Sequence, residues 1–350
     1  MNSYYNSFKI WIGLLMLIFL WIGCKNDISE AKIDVTSIST NNQWVRFDSV
    51  LYSAKKTHSI KKVFDLKKSS PAFFDLYFSE IIPISQTDSL EFSTQIDTFL
   101  NHEKISLLLD TVHIVFPDIE ALKQEMNVAM KYYMYYFPGK HAPDFYTIIS
   151  EFGYQCFIFG TGKKDGIGIS LDMFLGEDFP YKKVDPTNPA FSEYLTKNYK
   201  RENIVRKSLQ VLIEDNFEGF QGNNLLDIMV KEGKILYIIE KLLPDYENSY
   251  ILEYDDQEME WCENNELQIW NFFLDKELLF NPSLFDGMRY INPSPNSAGM
   301  PDAAPGRTGS YIGWKMVKNF MKKNKNLSLM DLIQHNNSQE IMESYKPARK

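Results

Sequence analysis

From Val45 to Leu109 apolar residues recur mainly at helical spacing, with breaks at Pro71 and Pro83. In "SLEFSTQIDTFL", Phe92, Ile96 and Phe99 share one face behind an Asp88/Ser89 start signal. "TVHIVFP" (111–117) alternates and is rich in β-branched residues, which predicts a strand. Pro117-Asp118 then opens a helix with the stripe Leu122, Met126, Ala129, Tyr133 and Tyr136, stopped by Pro138-Gly139. "DFYTIISEF" and "YQCFIFGT" predict apolar strands. "KKDG" predicts a hairpin turn with Asp165-Gly166 at the positive-φ positions, and "IGISLDMFLG" the return strand.

A Pro-rich passage around Pro180, Pro186 and Pro189 separates this part from two strong helical patterns, "RENIVRKSLQVLIEDNF" and "NNLLDIMVKEGKILYIIEKLLP". An acidic helix is expected from about Asp255 to Leu279. The long loop "NPSPNSAGMPDAAPGRTG" follows, and then a helix opening at Ser310. Loops of that length in a compact protein are usually functional or packed over a site. Helices dominate and strands are few, so the expected fold class is α+β. It would be a helix-rich single domain with a small mixed or antiparallel sheet packed on helices.

The amino terminus changes the picture. Lys9 precedes an apolar run from Ile10 to Gly23, and Cys24 follows. That run is short for a membrane span, which needs about 20 residues. Charge, apolar core and a small residue before cysteine resemble a bacterial lipoprotein signal peptide. Trp21 departs from the usual Leu three places before the cysteine. The expected organisation is a signal peptide at 1–23, then lipidated Cys24 and a polar spacer at 24–42. A helical part at 43–110 would pack with an α+β region at 111–347 as one globular unit. Lys25 and Asn26 place no acid directly after Cys24, which suits an anchor in the outer membrane facing the periplasm. Two to three acyl chains, at about 0.8 kcal/mol per buried CH₂, would hold it firmly.

The 350 residues carry a formal net charge of −9, against a nucleic-acid binder. The basic cluster Lys55, Lys56, Lys61 and Lys62 reads as a solvated face. Cys156 and Cys262 leave pairing open, and no C-x-x-C or zinc-finger spacing exists. The glycines at 160, 162, 166 and 168 do not open a helix and so do not make a phosphate loop. No G-x-S-x-G elbow occurs.

Chemistry concentrates on the two strong helical patterns. Leu225, Met229, Glu232 and Leu236 fall at i, i+4, i+7 and i+11, so Glu232 interrupts an apolar stripe. A lone buried carboxylate is costly unless it is paired, neutralised or metal-bound; a stripe facing a solvated groove is the other reading. On the preceding helix Arg206 and Gln210 project together beside the stripe of Val205, Leu209 and Leu212, with Lys207 adjacent. The pair of helices resembles that of gluzincin metallopeptidases. There one helix carries His-Glu-x-x-His and the next supplies a glutamate, often followed by glycine, as third zinc ligand. "RKSLQ" stands where the first motif would fall and "KEGKILY" where the third ligand would. Arg206 and Gln210 then replace both histidines and Lys207 the catalytic glutamate. Guanidinium has no acceptor for a metal. The expectation is a degenerate, zincin-like site with no metal and no cofactor, in which Glu232 pairs with Arg206 or Lys207. His58, His102, His113, His141 and His335 lie far apart in the chain and on neither helix.

A second candidate is the turn before the last strong helix. Arg307 and Ser310 stand where free backbone N–H groups favour an anion, such as a peptide's terminal carboxylate or a partner's side-chain carboxylate. The alternative is that Arg307 only locks the loop.

The segments "YYFPGKHAP", "GIGISLDMFLGEDFPYKK", "NNLLDIMVKEGKILYIIEKLLP", "NPSPNSAGMPDAAPGRTGSYIGWKMVKNFMKKN" and "SLMDLIQHNNSQEIMESYKP" resemble, in the same order, the gliding-motility lipoprotein B family. The resemblance runs from about residue 25 to 347. It implies a lipid-anchored envelope protein required for gliding, linked to type IX secretion and without an established catalytic activity. Its partners would be other motility and secretion proteins of the envelope. The expectation is therefore a non-enzymatic protein whose peptidase-like cleft binds protein, with strand addition along "GIGISLDMF". The alternatives are a hydrolase with an atypical site and a glycan-binding lipoprotein.

Overall fold

The chain enters a sheet before it forms a helix. In the computed structural model, which describes residues 33–348 except 86, 87, 163, 218 and 221, Trp44–Arg46 (β1) leads directly into helix Phe47–Thr57 (α1). Lys61–Ser69 (α2) and Pro71–Leu76 (α3) follow. Pro71 sits at the first helical position, where its missing N–H costs nothing. Ser89–Asn101 (α4) is capped by Asp88, which accepts from the backbone N–H groups of Leu90 and Glu91. Glu103–Val115 (α5) and Glu120–Tyr136 (α6) complete the amino-terminal helices.

Asp144–Ile148 (β2), Cys156–Gly160 (β3) and Asp165–Ser170 (β4) close a four-stranded mixed sheet in the order β1-β2-β4-β3. β1 and β4 run parallel to β2, and β3 is antiparallel to β4. Phe157 and Phe159 lie across the bare backbones of Gly168 and Gly166 on β4; a Cβ at either glycine would meet a ring atom within 2.4 Å. Phe73 from α3 stacks on Tyr146 of β2 and fastens the helices to the sheet.

The carboxy-terminal half is helical: Ile204–Glu214 (α7), Leu225–Leu242 (α8), Asn248–Leu252 (α9), Asp256–Asn264 (α10), Glu266–Asp275 (α11) and Thr308–Lys323 (α12). α8 and α12 form the core of this half and cross at closest range. Among the described residues no helix is long and apolar enough to cross a membrane.

The helix-rich α+β expectation holds, with the sheet mixed. Four local expectations do not. "TVHIVFP" is the end of α5 and not a strand, because Ile105, Leu108, Leu109 and Val112 are buried at helical spacing. Burial of that face outweighs the small helix penalty of β-branched residues. The hairpin turn lies ahead of "DG": Thr161 N–H donates to the Lys164 carbonyl, Gly162 takes φ +80°, and Asp165 and Gly166 already belong to β4. The acidic helix breaks at Asn265 into α10 and α11. "GIGISLDMF" is not an edge: β4 lies between β2 and β3, so strand addition there is impossible.

The compact unit starts at Val35, inside the stretch read as spacer; Val35 is buried and Thr40 hydrogen-bonds Asn127. The expected signal peptide and Cys24 lie outside the described residues.

Candidate functional site

α7 and α8 bring the sequence-predicted residues to one region, but in a different arrangement. Arg206 is buried on α7. Its Nε donates to the Ile251 carbonyl at 3.0 Å, and its Nη1 lies 3.0 Å from Glu253 Oε2. Lys207 Nζ stands 2.7 Å from Glu253 Oε1. Arg307 Nη1 approaches Glu253 Oε2 at 3.1 Å and donates to the Leu252 carbonyl at 2.8 Å. Three cations therefore share one carboxylate, and that carboxylate is Glu253. The expected Glu232–Arg206 or Glu232–Lys207 pair is not formed.

Glu253 follows the last residue of α9 and takes φ +57°, a left-handed conformation unusual for a residue with a Cβ. Arg307, the residue before α12, takes φ +62°. Both turns aim their side chains inward instead of along the surface. Burial alone would raise the Glu253 carboxyl, but Arg206, Lys207 and Arg307 outweigh it and hold it well below the usual range. Burial likewise lowers Arg206 and Lys207, opposed by Glu253. Lys207 Nζ is close to Oε1 but off hydrogen-bond geometry, so that contact is charge attraction more than a directed bond. In this cluster Glu253 Oε1 and Arg307 Nε are buried without a hydrogen-bond partner among the described residues.

Glu232 is half-buried on α8 and forms no hydrogen bond or ion pair with a described residue. Burial raises its carboxyl, and the through-space pull of Arg307 opposes this. Gln210 accepts from Arg206 and donates to Glu214 Oε1 at 2.6 Å. Ser310 is buried and donates to the Ile291 carbonyl at 3.2 Å, so of the two candidate anion binders only Arg307 reaches the open space described next.

That space is a cavity of about 220 Å³ between α7, the end of α9 and the start of α12. Gln155, Tyr199, Lys207, Glu253, Glu258 and Arg307 contribute to its wall. Glu258 is already matched by Lys197 at 2.7 Å. Arg206 lies behind the wall, so the charged groups that line the cavity are Lys197, Lys207 and Arg307 against Glu253 and Glu258, an excess of positive charge.

The donor set does not suit a metal: the two α7 positions read from the sequence as former ligands, Arg206 and Gln210, are a guanidinium and an amide engaged with each other. Among the described residues no group of three or more His, Cys, Asp or Glu is placed to hold one. Cys156 and Cys262 are free. Burial pushes both thiols up to about 12, with the neighbouring hydroxyls of Ser208 and Tyr254 opposing, so neither is a ready thiolate.

Sequence reasoning missed Glu253. Its only signal in "YILEYDD" is one acid between apolar Leu252 and Tyr254, and no spacing rule marks that as a site.

Fold and site define a helix-rich α+β protein with a cation-lined cavity at the mouth of two core helices. A sequence model of gliding motility protein GldB matches residues 29–347, and the chain belongs to that family of gliding-motility lipoproteins. Neither a search of curated proteins nor one of solved structures returned a match. Family membership makes this a membrane-anchored protein of the cell envelope with a role in gliding.

Proposed function

We propose that the protein is a non-catalytic accessory lipoprotein of the gliding apparatus and its type IX secretion machinery, and that its cleft holds a segment of a partner protein. The scaffold would be that of a peptidase whose metal site has been lost, anchored by Cys24 in the outer membrane and facing the periplasm. The observation that carries the reading is Arg206. It is a buried guanidinium bonded to Glu253 and Gln210, and in this reading it takes the place of a neutral metal ligand. A metal brought there would meet cation repulsion and no lone pair.

The test is a pull-down from detergent-solubilised envelopes with the full-length tagged protein. It should recover motility or secretion subunits, and recovery of none would count against the assignment. Peptide hydrolysis that is lost on Glu232→Gln would overturn the non-catalytic part.

A further inference from the structure

β3 has one free edge. Ser170 N–H donates to the Gln155 carbonyl and Thr161 N–H to the Lys164 carbonyl, which fixes the phase of the β3–β4 ladder. Antiparallel pairs alternate between bonded and non-bonded. Phe157 and Phe159 therefore turn their backbone groups toward β4, and Cys156, Ile158 and Gly160 turn theirs outward. Among the described residues no strand lies beyond β3, and no backbone group is bonded to those outward positions. Such an edge is a template for an added strand.

Gln155, the residue just before β3, also lines the cavity that holds Lys207, Glu253 and Arg307. Edge and cavity are thus continuous. The cavity is far roomier than the about 10–15 Å³ that one water needs. Its positive charge is only partly matched: Arg206, Lys207 and Arg307 share Glu253 as their one ion-pair partner, Glu232 acts on Arg206 and Arg307 only through space, and Arg307 Nε, on a side chain 9% exposed, lacks an acceptor. The amino end of α12, a helix of 16 residues, points the same sign of charge at the same place.

We infer that the edge of β3 and this cavity form one receptor for an extended protein segment ending in a carboxylate. The segment adds to β3 in antiparallel sense. β3 runs away from Gln155, so an antiparallel strand runs toward it and delivers its carboxy end to Lys207 and Arg307. A parallel strand would bring its amino end there, which the cations oppose. Backbone bonds to Cys156, Ile158 and Gly160 supply sequence-tolerant affinity, and the carboxylate sets direction and end. This rests on the reading of the cleft as a protein-binding site and names its ligand.

The probe is an N-terminally fluorescein-labelled octapeptide of alternating Thr and Val, made as the free acid and as the C-terminal amide. Binding to the full chain in detergent is read by anisotropy. The acid should bind at least tenfold more tightly than the amide, and Lys207→Gln should shrink that ratio toward one. Ile158→Pro removes an outward N–H without touching the β4 ladder and should abolish binding of both peptides. If that variant melts early, amide exchange in the unaltered protein replaces it: the acid peptide should slow exchange at Cys156, Ile158 and Gly160. Equal binding of acid and amide, binding that survives Ile158→Pro in a folded protein, or unchanged exchange at those amides would each overturn the inference. Envelope partners that co-purify equally well with a folded Ile158→Pro protein would leave the accessory role standing and remove only this docking mode.

Discussion

Gly233 and Gly313 touch backbone to backbone where α8 crosses α12. A Cβ on Gly233 would stand 2.2 Å from the carbonyl carbon and oxygen of Gly313, and a Cβ on Gly313 would stand 1.9 Å from the Met229 carbonyl oxygen. The glycine after Glu232 is therefore explained by helix packing and needs no metal site beside it. The two helices have no room for even a methyl group between them.

Gly313→Ala should force α8 and α12 apart and destabilise the fold by about 3 kcal/mol, the upper range for overpacking. The helix propensity gained by alanine, about 1 kcal/mol, opposes this without cancelling it. Urea denaturation compared with the parent checks the value; an unchanged midpoint would mean the crossing is looser than the backbone contact requires.

Glu253→Gln should be among the most damaging single substitutions on the chain. It leaves Arg206, Lys207 and Arg307 without their shared counter-charge, a loss on the order of 3–5 kcal/mol for a broken buried pair. Glu232→Gln should fall within about 1 kcal/mol of the parent, since that carboxylate has no described partner to lose. The opposite ranking in thermal melts would restore Glu232 as the paired acid.

Asp172 predicts a pH dependence. It is buried, and burial raises its carboxyl to about 7 against the N–H bonds donated by Phe152 and Ser150. A folded-state value above the unfolded one means that the folded protein holds the proton more tightly. Its contribution is full below the unfolded pKa, about 4, and is lost as pH rises through about 7. At about 1.4 kcal/mol per pH unit the span is on the order of 2–4 kcal/mol. Denaturation at pH 4.5 and 7.5 should show this fall in the parent, and Asp172→Asn should flatten it.

Dialysis against a chelator should leave the melting temperature within about 1 °C, because no described cluster of ligands ties the fold to a metal. Stoichiometric zinc that resists dialysis would contradict the site as drawn.

Cys24→Ser should move the protein from the membrane fraction to the soluble fraction after cell breakage. Tight association of the variant would mean that the apolar run from Ile10 to Gly23 stays uncleaved as an anchor.

Much of the fold could be read from periodicity. α6, α7 and α8 follow from stripes such as Leu122–Met126–Ala129 and Leu225–Met229–Leu236, because one-sided burial of a helix repeats every three to four residues. The segment around Val112 could not be read that way. Its β-branched composition points to a strand, and only contact with the rest of the core makes a helix the better burial. Of the candidate site, Arg206 and Lys207 are visible in the sequence as cations beside an apolar stripe and Arg307 as a cation before a helix start, but their partner is not.

The sequence by itself determined that the protein is a helix-rich α+β member of a lipoprotein family, since periodicity and ordered segments are properties of the chain alone. Only the tertiary structure decided which acid answers the cations and which strand is left at the edge. Both depend on left-handed turns at Glu253 and Arg307 and on strand order, where residues distant in sequence meet and local pattern carries no record of the meeting.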